Sequence, residues 1–348
     1  MDRLFNKKTF VIPCILTFVV LFFYFTLLSS HTSETLVLTK PDQTTEQTVF
    51  IPEKQTLLVF GDVMLDRYVR NYINASGTPA LFEHIQSDIN TADATMFNLE
   101  GPVTKFASVV SKENLQFTFA THTIFDLSEI GIDIVSLANN HTHNFGREGL
   151  RQTRGYLSDA NLTYFGDPYN DVEYTVTRYI LGVTTISLVG YHEFENPDLT
   201  KILDIIKTEK NIGNFVIFFP HWGNEYEKEA SVNQKKKARE VINAGADIII
   251  GAHPHVIQNT EIYNGRSIFY SLGNFIFDQW FSEDVKYGLG LLLTFSNNTL
   301  ESIELKPFYR ERYHPKWLLE ENRITWCKSY IQGTLFKSDQ NNPCLLTL

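Results

Sequence analysis

Cysteine is scarce in this sequence, with only Cys14, Cys327 and Cys344 among 348 residues. None of the three lies near the polar motifs that could bind a metal, which argues against a structural zinc site built on thiolates. Cys327 and Cys344 could form a disulfide in an oxidising compartment, or they could be two unrelated thiols. Their spacing does not decide between these alternatives, because a disulfide depends on geometry.

A surplus of positive charge is also missing. The chain has 30 Lys and Arg against 40 Asp and Glu, which gives a formal net charge of −10. Proteins that bind nucleic acids present basic surfaces to the phosphates, so this balance argues against a nucleic-acid partner. Aromatic residues, in contrast, make up 14% of the chain, which is enough for a large core.

A long apolar run without charge occurs at the N-terminus, over residues 10–28. As a helix rising about 1.5 Å per residue, it is long enough to cross a bilayer core. Because Arg3, Lys7 and Lys8 precede it, that end is expected to stay in the cytoplasm and the remainder to lie outside. A cleaved signal peptide is the alternative, but the run is longer than the apolar part of such signals and no clear cleavage site follows.

We therefore predict a single-pass protein of the cytoplasmic membrane with an extracytoplasmic C-terminal domain. Residues 1–30 form the cytoplasmic tip and anchor, and residues 31–55, rich in Thr, Glu, Gln and Pro, form a linker. Residues 56–310 form one large domain, and residues 311–348 form a C-terminal extension.

Short buried-strand patterns alternate with helical patterns along residues 56–310, which predicts a mixed α/β fold. The helices are expected at Ala80–Thr91, Thr123–Ile130, Gly146–Asp159 and Ser231–Ala244. Hairpins are expected at Tyr174–Tyr191 and Glu261–Ser271, followed by a late antiparallel pair over Tyr287–Phe295 and Leu300–Phe308.

Potential metal ligands follow most of the predicted core strands. They are Asp62, Glu100, Asn140, His141, His221, His253 and His255. Loops at the carboxyl ends of neighbouring parallel strands converge, so these side chains are expected to meet and bind one or two divalent cations. Carboxylate and imidazole ligands suit Mn²⁺, Zn²⁺ or Fe²⁺.

Each of these residues taken alone is weak evidence. An Asp after a strand, such as Asp62, is more often a helix cap or turn former, and His221 could be a hydrogen-bonded core histidine. His253 and His255 are stronger, because two imidazoles two residues apart in an extended segment can address one site. The combination at strand ends is more specific than any of its members.

Six motifs in this order resemble the bacterial capsule-synthesis CapA family, also called PgsA, which serves poly-γ-glutamate synthesis. They are Gly61-Asp-Val-Met64, Asn98-Leu-Glu-Gly101, Ala138-Asn-Asn-His141, Pro220-His-Trp-Gly223 with Glu225-Tyr226, Gly251-Ala-His-Pro-His255 and Ser271-Leu-Gly-Asn-Phe275. The resemblance covers about residues 56–280. It implies kinship with calcineurin-like metallophosphoesterases and hence a four-layer α/β/β/α sandwich.

The resemblance also implies roles. Asp62 and His255 would bind a first cation, and Glu100 would bridge it to a second. Asn140, His221 and His253 would complete the second site, and His141 would be the general acid. Two such cations can polarise a phosphoryl group and activate a water near neutral pH.

The chain departs from the metallophosphoesterase pattern at Met64 and Glu100, and from the Asn-Asn-His-x-x-Asp pattern of CapA relatives at Asn144. Met64 stands where a ligating His is usual, so Asp66 or a water would have to replace that ligand. Glu100 stands for the usual bridging Asp, and Asn144 occupies the place of an Asp that could orient His141. Residues that could support the ligands or contact substrate are Asp66, Asn139, Asn144, Trp222, Glu225 and Asn274.

Four functions fit these features. The resemblance favours an extracytoplasmic component of poly-γ-glutamate or capsule polymer production or export, working with membrane synthase subunits on an anionic polymer. The ligands also fit a phosphoesterase acting on a cell-envelope or nucleotide phosphate, or an amide or γ-glutamyl hydrolase. A non-catalytic assembly factor stabilised by its metal is the fourth.

Overall fold

The computed structural model describes residues 54–347 apart from 110, 112, 114, 196 and 197. The predicted anchor and most of the predicted linker lie outside the described residues. Among the residues that are described, no helix combines the length and apolar character needed to cross a membrane.

Two β-sheets and their flanking helices build the domain, which confirms the mixed α/β fold. The strands are β1 (Gln55–Val63), β2 (Ala94–Leu99), β3 (Ile134–Ser136), β4 (Thr163–Phe165), β5 (Val176–Leu181), β6 (Thr184–His192), β7 (Phe215–His221), β8 (Ile248–Ile250), β9 (Thr260–Tyr263), β10 (Arg266–Phe269), β11 (Asn274–Ile276), β12 (Tyr287–Ser296), β13 (Thr299–Glu311), β14 (His314–Trp317), β15 (Lys337–Ser338) and β16 (Leu345–Thr347). The helices are α1 (Arg67–Ser76), α2 (Gln86–Thr91), α3 (His122–Ile130), α4 (Gly146–Asp159), α5 (Val172–Thr175), α6 (Thr200–Asn211), α7 (Val232–Ala244) and α8 (Glu320–Tyr330).

The first sheet has the order β15-β16-β13-β12-β1-β2-β3-β4, with β11 also paired to β1 and β14 to β13. The second has the order β5-β6-β7-β8-β10-β9. Strands β1 to β4 run parallel in the first sheet, and β6, β7, β8 and β10 run parallel in the second. Each sheet therefore has one edge at which the carboxyl ends of several strands meet.

Alternating side chains on β1 show how the layers are stacked. Leu57 and Val59 lie in one apolar cluster with residues of the second sheet, so the two sheets face each other. Leu58 and Phe60 lie in another with residues of α1, α3 and α4. A third cluster joins the far side of the second sheet to α6 and α7. Because successive side chains of a strand point to opposite faces, such a strand is apolar throughout.

The three predicted antiparallel pairs are confirmed as β5–β6, β9–β10 and β12–β13. The helices α3, α4 and α7 match three of the four predicted ones, and Ser231 caps α7 with a reciprocal Gln234 contact. The helix predicted over Ala80–Thr91 is wrong as a single element. A 3₁₀ turn at Thr78–Leu81 precedes α2 there, and Ile85 N–H bonds to Phe82 O, three residues back.

Residues after 310 complete the first sheet. Strand β13 continues to Glu311 and pairs with both β14 and β16. Cys327 on α8 and Cys344 before β16 form a disulfide, which settles the alternative that their spacing left open. Both cysteines are buried in the apolar cluster between the sheets.

Candidate metal centre

Polar side chains collect where the carboxyl ends of the two sheets meet. Asp62 lies near the end of β1, Glu100 directly follows β2, and His221 is the last residue of β7. All three are buried. The amide Nδ2 of Asn98, on the first sheet, lies 3.3 Å from His221 Nδ1 on the second, so the two edges form one cluster.

Asp62, Glu100 and His255 form a first group of ligand atoms, all within 4.8 Å of one another. His255 lies between the carboxylates, with Nδ1 3.4 Å from Asp62 Oδ2 and Nε2 3.7 Å from Glu100 Oε1. The structure thus brings together the three residues predicted for a first cation.

Asn140, His221 and His253 form a second group. His221 Nε2 lies 2.9 Å from Asn140 Oδ1 and 3.1 Å from His253 Nδ1. Ligands bound side by side to one cation at about 2.0–2.2 Å lie roughly 3 Å apart. Both distances from His221 Nε2 therefore match the spacing of neighbouring ligands around one cation.

Asn98 connects the two groups, and sequence reasoning missed it as a site residue. Its Nδ2 donates to Asp62 Oδ1 at 2.7 Å and lies 3.5 Å from Glu100 Oε2, while its Oδ1 accepts from Asn139 Nδ2 at 2.9 Å. The missed signal is an amide near the end of an otherwise apolar buried strand, which costs desolvation unless it is used.

Three of the predicted supporting residues lie around the ligands. Asn274 Oδ1 lies 2.9 Å from His255 Nδ1, which orients that ring and leaves Nε2 toward Glu100. Asn139 Oδ1 accepts from the backbone N–H groups of His141 and Thr142 and so shapes that loop. The exposed Glu225 can join His253 and His255 in a further group of three potential ligands.

His141 lies beside the cluster rather than inside it. Its Nε2 is 3.9 Å from Glu100 Oε1, and its ring stacks on Phe117 with centroids 4.2 Å apart. Asn144 Nδ2 donates to Leu115 O at 2.9 Å and lies 3.2 Å from His141 Nδ1. Asn144 therefore orients the imidazole.

The backbone around the ligands is unusual. His253 and His255 have φ values of 98° and 59°, in the left-handed region that side chains other than glycine rarely adopt. Gly61 directly precedes Asp62, and a Cβ there would lie 1.9 Å from the carbonyl oxygen of Gly273. Only glycine permits that close approach, which places Asn274, the first residue of β11, next to Asp62.

Burial and mutual charge set the ionisation of the cluster. Burial raises the pKa of Glu100 well above its ordinary value, and the negative charge of Asp62 raises it further. Burial acts in the same direction on Asp62, but the hydrogen bonds and charges of His255, Asn98 and His253 together outweigh it and lower the pKa. Burial lowers the pKa of His221 far below its usual range and that of His253 to about 3. Both imidazoles are therefore neutral at pH 7, as metal binding requires.

A divalent cation fits this arrangement of donors. Within the described part of the chain, Glu100 Oε1 is buried and has no hydrogen-bond partner. Such an oxygen is costly unless something positive binds it. Neutral imidazoles, two carboxylates and an amide oxygen are the ligands that Mn²⁺, Zn²⁺ and Fe²⁺ accept, so the residues present suit such an ion.

The structure does not place Asp66 or Trp222 at the cluster. Asp66 accepts hydrogen bonds from Arg70 Nε at 2.8 Å, Thr118 N at 2.8 Å and Ser108 Oγ, so it is a structural residue at the start of α1. Trp222 is fully buried beneath the helices of the second sheet and donates to Tyr270 O at 2.9 Å. Met64 is also buried, with its sulfur accepting from Asp66 N–H.

His192 is a further neighbour that sequence reasoning missed. It ends β6 and pairs in register with His221, with ring centroids 6.1 Å apart. Its Nδ1 lies 2.8 Å from Pro168 O, while its buried Nε2 has no partner among the described residues. His221 was found as a polar residue at the end of a buried strand. The same rule would have found His192 if the predicted hairpin Tyr174–Tyr191 had been extended by one residue.

Two similar proteins bear the name of the family that the motifs indicate. The chain is 32% identical over 249 residues to the capsule biosynthesis protein CapA of Bacillus anthracis, covering 65% of this chain and 61% of that protein. It is 32% identical over 237 residues to the PGA biosynthesis protein CapA of Bacillus subtilis strain 168, covering 63% and 62%. The chain thus spans about three fifths of the length of these relatives.

Among solved structures, the NAD nucleotidase of Haemophilus influenzae matches with a TM-score of 0.44 and 11% identity, covering 82% of this chain and 64% of that one. The model of the family described as bacterial capsule synthesis protein PGA_cap matches residues 56–279, which is most of the chain. The chain therefore belongs to the bacterial capsule synthesis protein PGA_cap family.

Proposed function

We propose that the chain is a metal-dependent hydrolase of poly-γ-glutamate or capsule polymer production. Its substrate would be an anionic polymer or a phosphate ester. Dependence on a metal is inferred from Glu100 Oε1, a buried oxygen that has no hydrogen-bond donor among the described residues. It lies 3.7 Å from His255 Nε2 and 3.9 Å from His141 Nε2. The link to the polymer rests on the family and on the names of the two Bacillus relatives.

The candidate residues have two kinds of role, cation binding and proton donation. Asp62 and His255 would hold one cation, Asn140, His221 and His253 a second, and Glu100 would be shared. Bound there, divalent cations would polarise the scissile group and activate water near neutral pH. His141, whose Nε2 faces the cluster, can donate a proton to the leaving atom, and Phe117 and Asn144 hold its ring for that step.

The direct test is metal analysis and hydrolysis by the full-length chain in detergent. After chelation and reconstitution with Mn²⁺ or Zn²⁺, we expect one or two ions per chain by mass spectrometry. Turnover is then assayed on an aryl phosphodiester and on poly-γ-glutamate, and the substrate that is cut identifies the bond. A wild-type protein that takes up no metal would refute the proposal.

Two buried aspartates four residues apart in the sequence, Asp62 and Asp66, supply matched variants for this test. Asp62→Asn removes a candidate ligand and should lower the metal content and abolish turnover. Asp66→Asn makes the same chemical change at a residue whose contacts are structural, so it should lower stability but keep the metal. Equal metal loss in both variants would contradict the assignment of Asp62.

A non-catalytic, metal-stabilised assembly factor is the second candidate, and Met64 favours it. Its sulfur is buried and accepts from Asp66 N–H, so it adds nothing to the group of Asp62, Glu100 and His255. Stoichiometric metal without turnover on either substrate, in wild type as in His141→Ala, would support this candidate instead.

We further propose that residues 10–28 anchor the domain outside the cytoplasmic membrane, near membrane synthase subunits. The Cys327–Cys344 disulfide supports this location, because disulfides persist in oxidising compartments. Protease added to intact spheroplasts should digest the C-terminal domain while a cytoplasmic marker survives. Protection of the domain until the membrane is lysed would contradict the proposed topology.

A further inference from the structure

Arg67 is a buried cation at the edge of the candidate metal centre to which the proposed function assigns no role. Its side chain is 7% exposed and pairs with that of Asp278, which is 1% exposed. The guanidinium carbon lies 4.9 Å from the ring centroid of Phe117 and 5.7 Å from that of Phe277. A buried arginine held over two aromatic faces is a fixed positive charge, not a mobile surface group.

The two rings connect Arg67 to the candidate site. Phe117 stacks on His141 with centroids 4.2 Å apart, and Phe277 lies 4.8 Å from the ring of His255. The cation is therefore one aromatic ring away from both the candidate acid and a candidate ligand. Its charge also reaches Glu100, because it opposes the rise that burial causes in the pKa of that carboxyl.

The backbone fixes Arg67 in a costly conformation. Its φ is 51°, in the left-handed region, although it is not a glycine. Asp278 Oδ1 accepts from its guanidinium, and the other oxygen, Oδ2, lies 3.4 Å from the N–H of Tyr68. Residues in such conformations persist where the surrounding structure holds them, and they cluster at binding and active sites.

We propose that Arg67 binds an oxyanion of the substrate, a phosphate or a carboxylate, beside the metal centre. A guanidinium carries five N–H donors in a planar fork that matches both groups, so it can serve Asp278 and a second anion together. Arg67 adds a fixed positive charge that would attract an anionic substrate beside the carboxylates of Asp62 and Asp278. The inference rests on the proposed function only in taking the anion to be part of the substrate.

The test measures binding of inorganic phosphate and of glutarate to the full-length protein by calorimetry, with and without bound metal. Arg67→Gln should weaken binding of the preferred anion about ten- to a hundred-fold, as expected for a desolvated charged hydrogen bond. Arg70→Gln is the matched control, since Arg70 lies one turn further along α1 and pairs with Asp66. It should leave anion binding unchanged.

Asp278→Asn separates anion binding from a purely structural ion pair. If Arg67 serves the substrate, removing its negative partner should leave anion binding equal or tighter, even where the melting temperature falls. Equal weakening in Asp278→Asn and Arg67→Gln, or no change in Arg67→Gln, overturns the proposal. A larger effect on phosphate than on glutarate assigns a phosphate ester, and the reverse assigns a carboxylate.

Metal content is measured in every variant, so that the two proposals fail separately. Wild-type protein that binds metal but neither anion overturns the role of Arg67 and leaves the metal centre standing. Protein that binds no metal but shows anion binding dependent on Arg67 refutes the metal-dependent hydrolase and supports the oxyanion subsite.

Discussion

Glu100→Gln is expected to abolish metal binding and hydrolysis while leaving the metal-free protein at least as stable as the wild type. Glu100 is fully buried, and burial together with Asp62 raises its pKa well above the ordinary value. The amide has nearly the same shape and no charge to desolvate, so the metal-free protein loses nothing. The loaded protein loses the ligand shared between both groups. Metal ions contribute several kcal/mol to such reactions, so turnover should fall about a thousand-fold or more.

Thermal unfolding with and without metal measures both effects. At a hundred-fold excess over Kd, metal should stabilise the wild type by about 2.7 kcal/mol, and Glu100→Gln should show no shift. Glu209→Gln is the matched control. Glu209 is also buried but pairs with Arg178 Nε at 2.8 Å, so this variant should be less stable yet keep the shift. A full metal-induced shift in Glu100→Gln would exclude Glu100 as a ligand.

The position of the candidate site could be predicted from sequence because one rule governs parallel strands. The apolar strand patterns that stop at Asp62 and Glu100 end at one edge of the first sheet, and the pattern that stops at His221 ends at an edge of the second. These two edges meet. The strand-end rule needs only the order of apolar and polar residues. It does not need the pairing of the strands, which local sequence does not encode.

Asn98 and Arg67 escaped this rule because their importance depends on partners far along the chain. Asn98 meets His221 123 residues later, and Arg67 meets Asp278 211 residues later. Neither contact leaves a local pattern. Asn98 shows only as a polar group near the end of an otherwise apolar strand, and Arg67 as one of several polar residues at the start of α1. Both signals gain meaning once burial is known.

Trp222 was predicted only as a residue that could contact substrate, and strand alternation explains why it lies away from the cluster. Successive side chains of a strand point to opposite faces, and His221 ends β7 facing the cluster. The next side chain is therefore directed away from the cluster, and Trp222 is indeed buried under the helices of the second sheet. A position next to a ligand in the sequence is therefore not evidence that a side chain reaches the site.

His141→Ala should lower turnover about 10²- to 10⁴-fold, the usual contribution of a general acid, with no loss of metal. His141 Nε2 lies 3.9 Å from Glu100 Oε1, and its ring is held by Phe117 rather than by the ligands. Metal analysis and turnover of the same preparation therefore separate this residue from Asp62 and Glu100. A parallel loss of metal in His141→Ala would make it a ligand and not the acid.

Asn144→Asp should raise turnover, because it should make His141 a better proton donor to the leaving atom. Burial, with the charge of His255, lowers the pKa of His141 to about 3, so its ring is neutral at pH 7 in the metal-free protein. Asn144 Nδ2 faces both Leu115 O and His141 Nδ1, and because the carbonyl only accepts, the amide donates to both. A carboxylate would instead accept a proton from Nδ1 and stabilise the charged ring.

For each unit by which that pKa rises, the protonated fraction at neutral pH grows about tenfold. Turnover of Asn144→Asp should therefore exceed that of the wild type, and His141→Ala should abolish the gain. The melting temperature should fall, because the carbonyl of Leu115 loses its donor and faces a negative charge. Slower turnover in Asn144→Asp at unchanged metal content would mean that the reaction needs the amide that holds His141, and not a stronger acid.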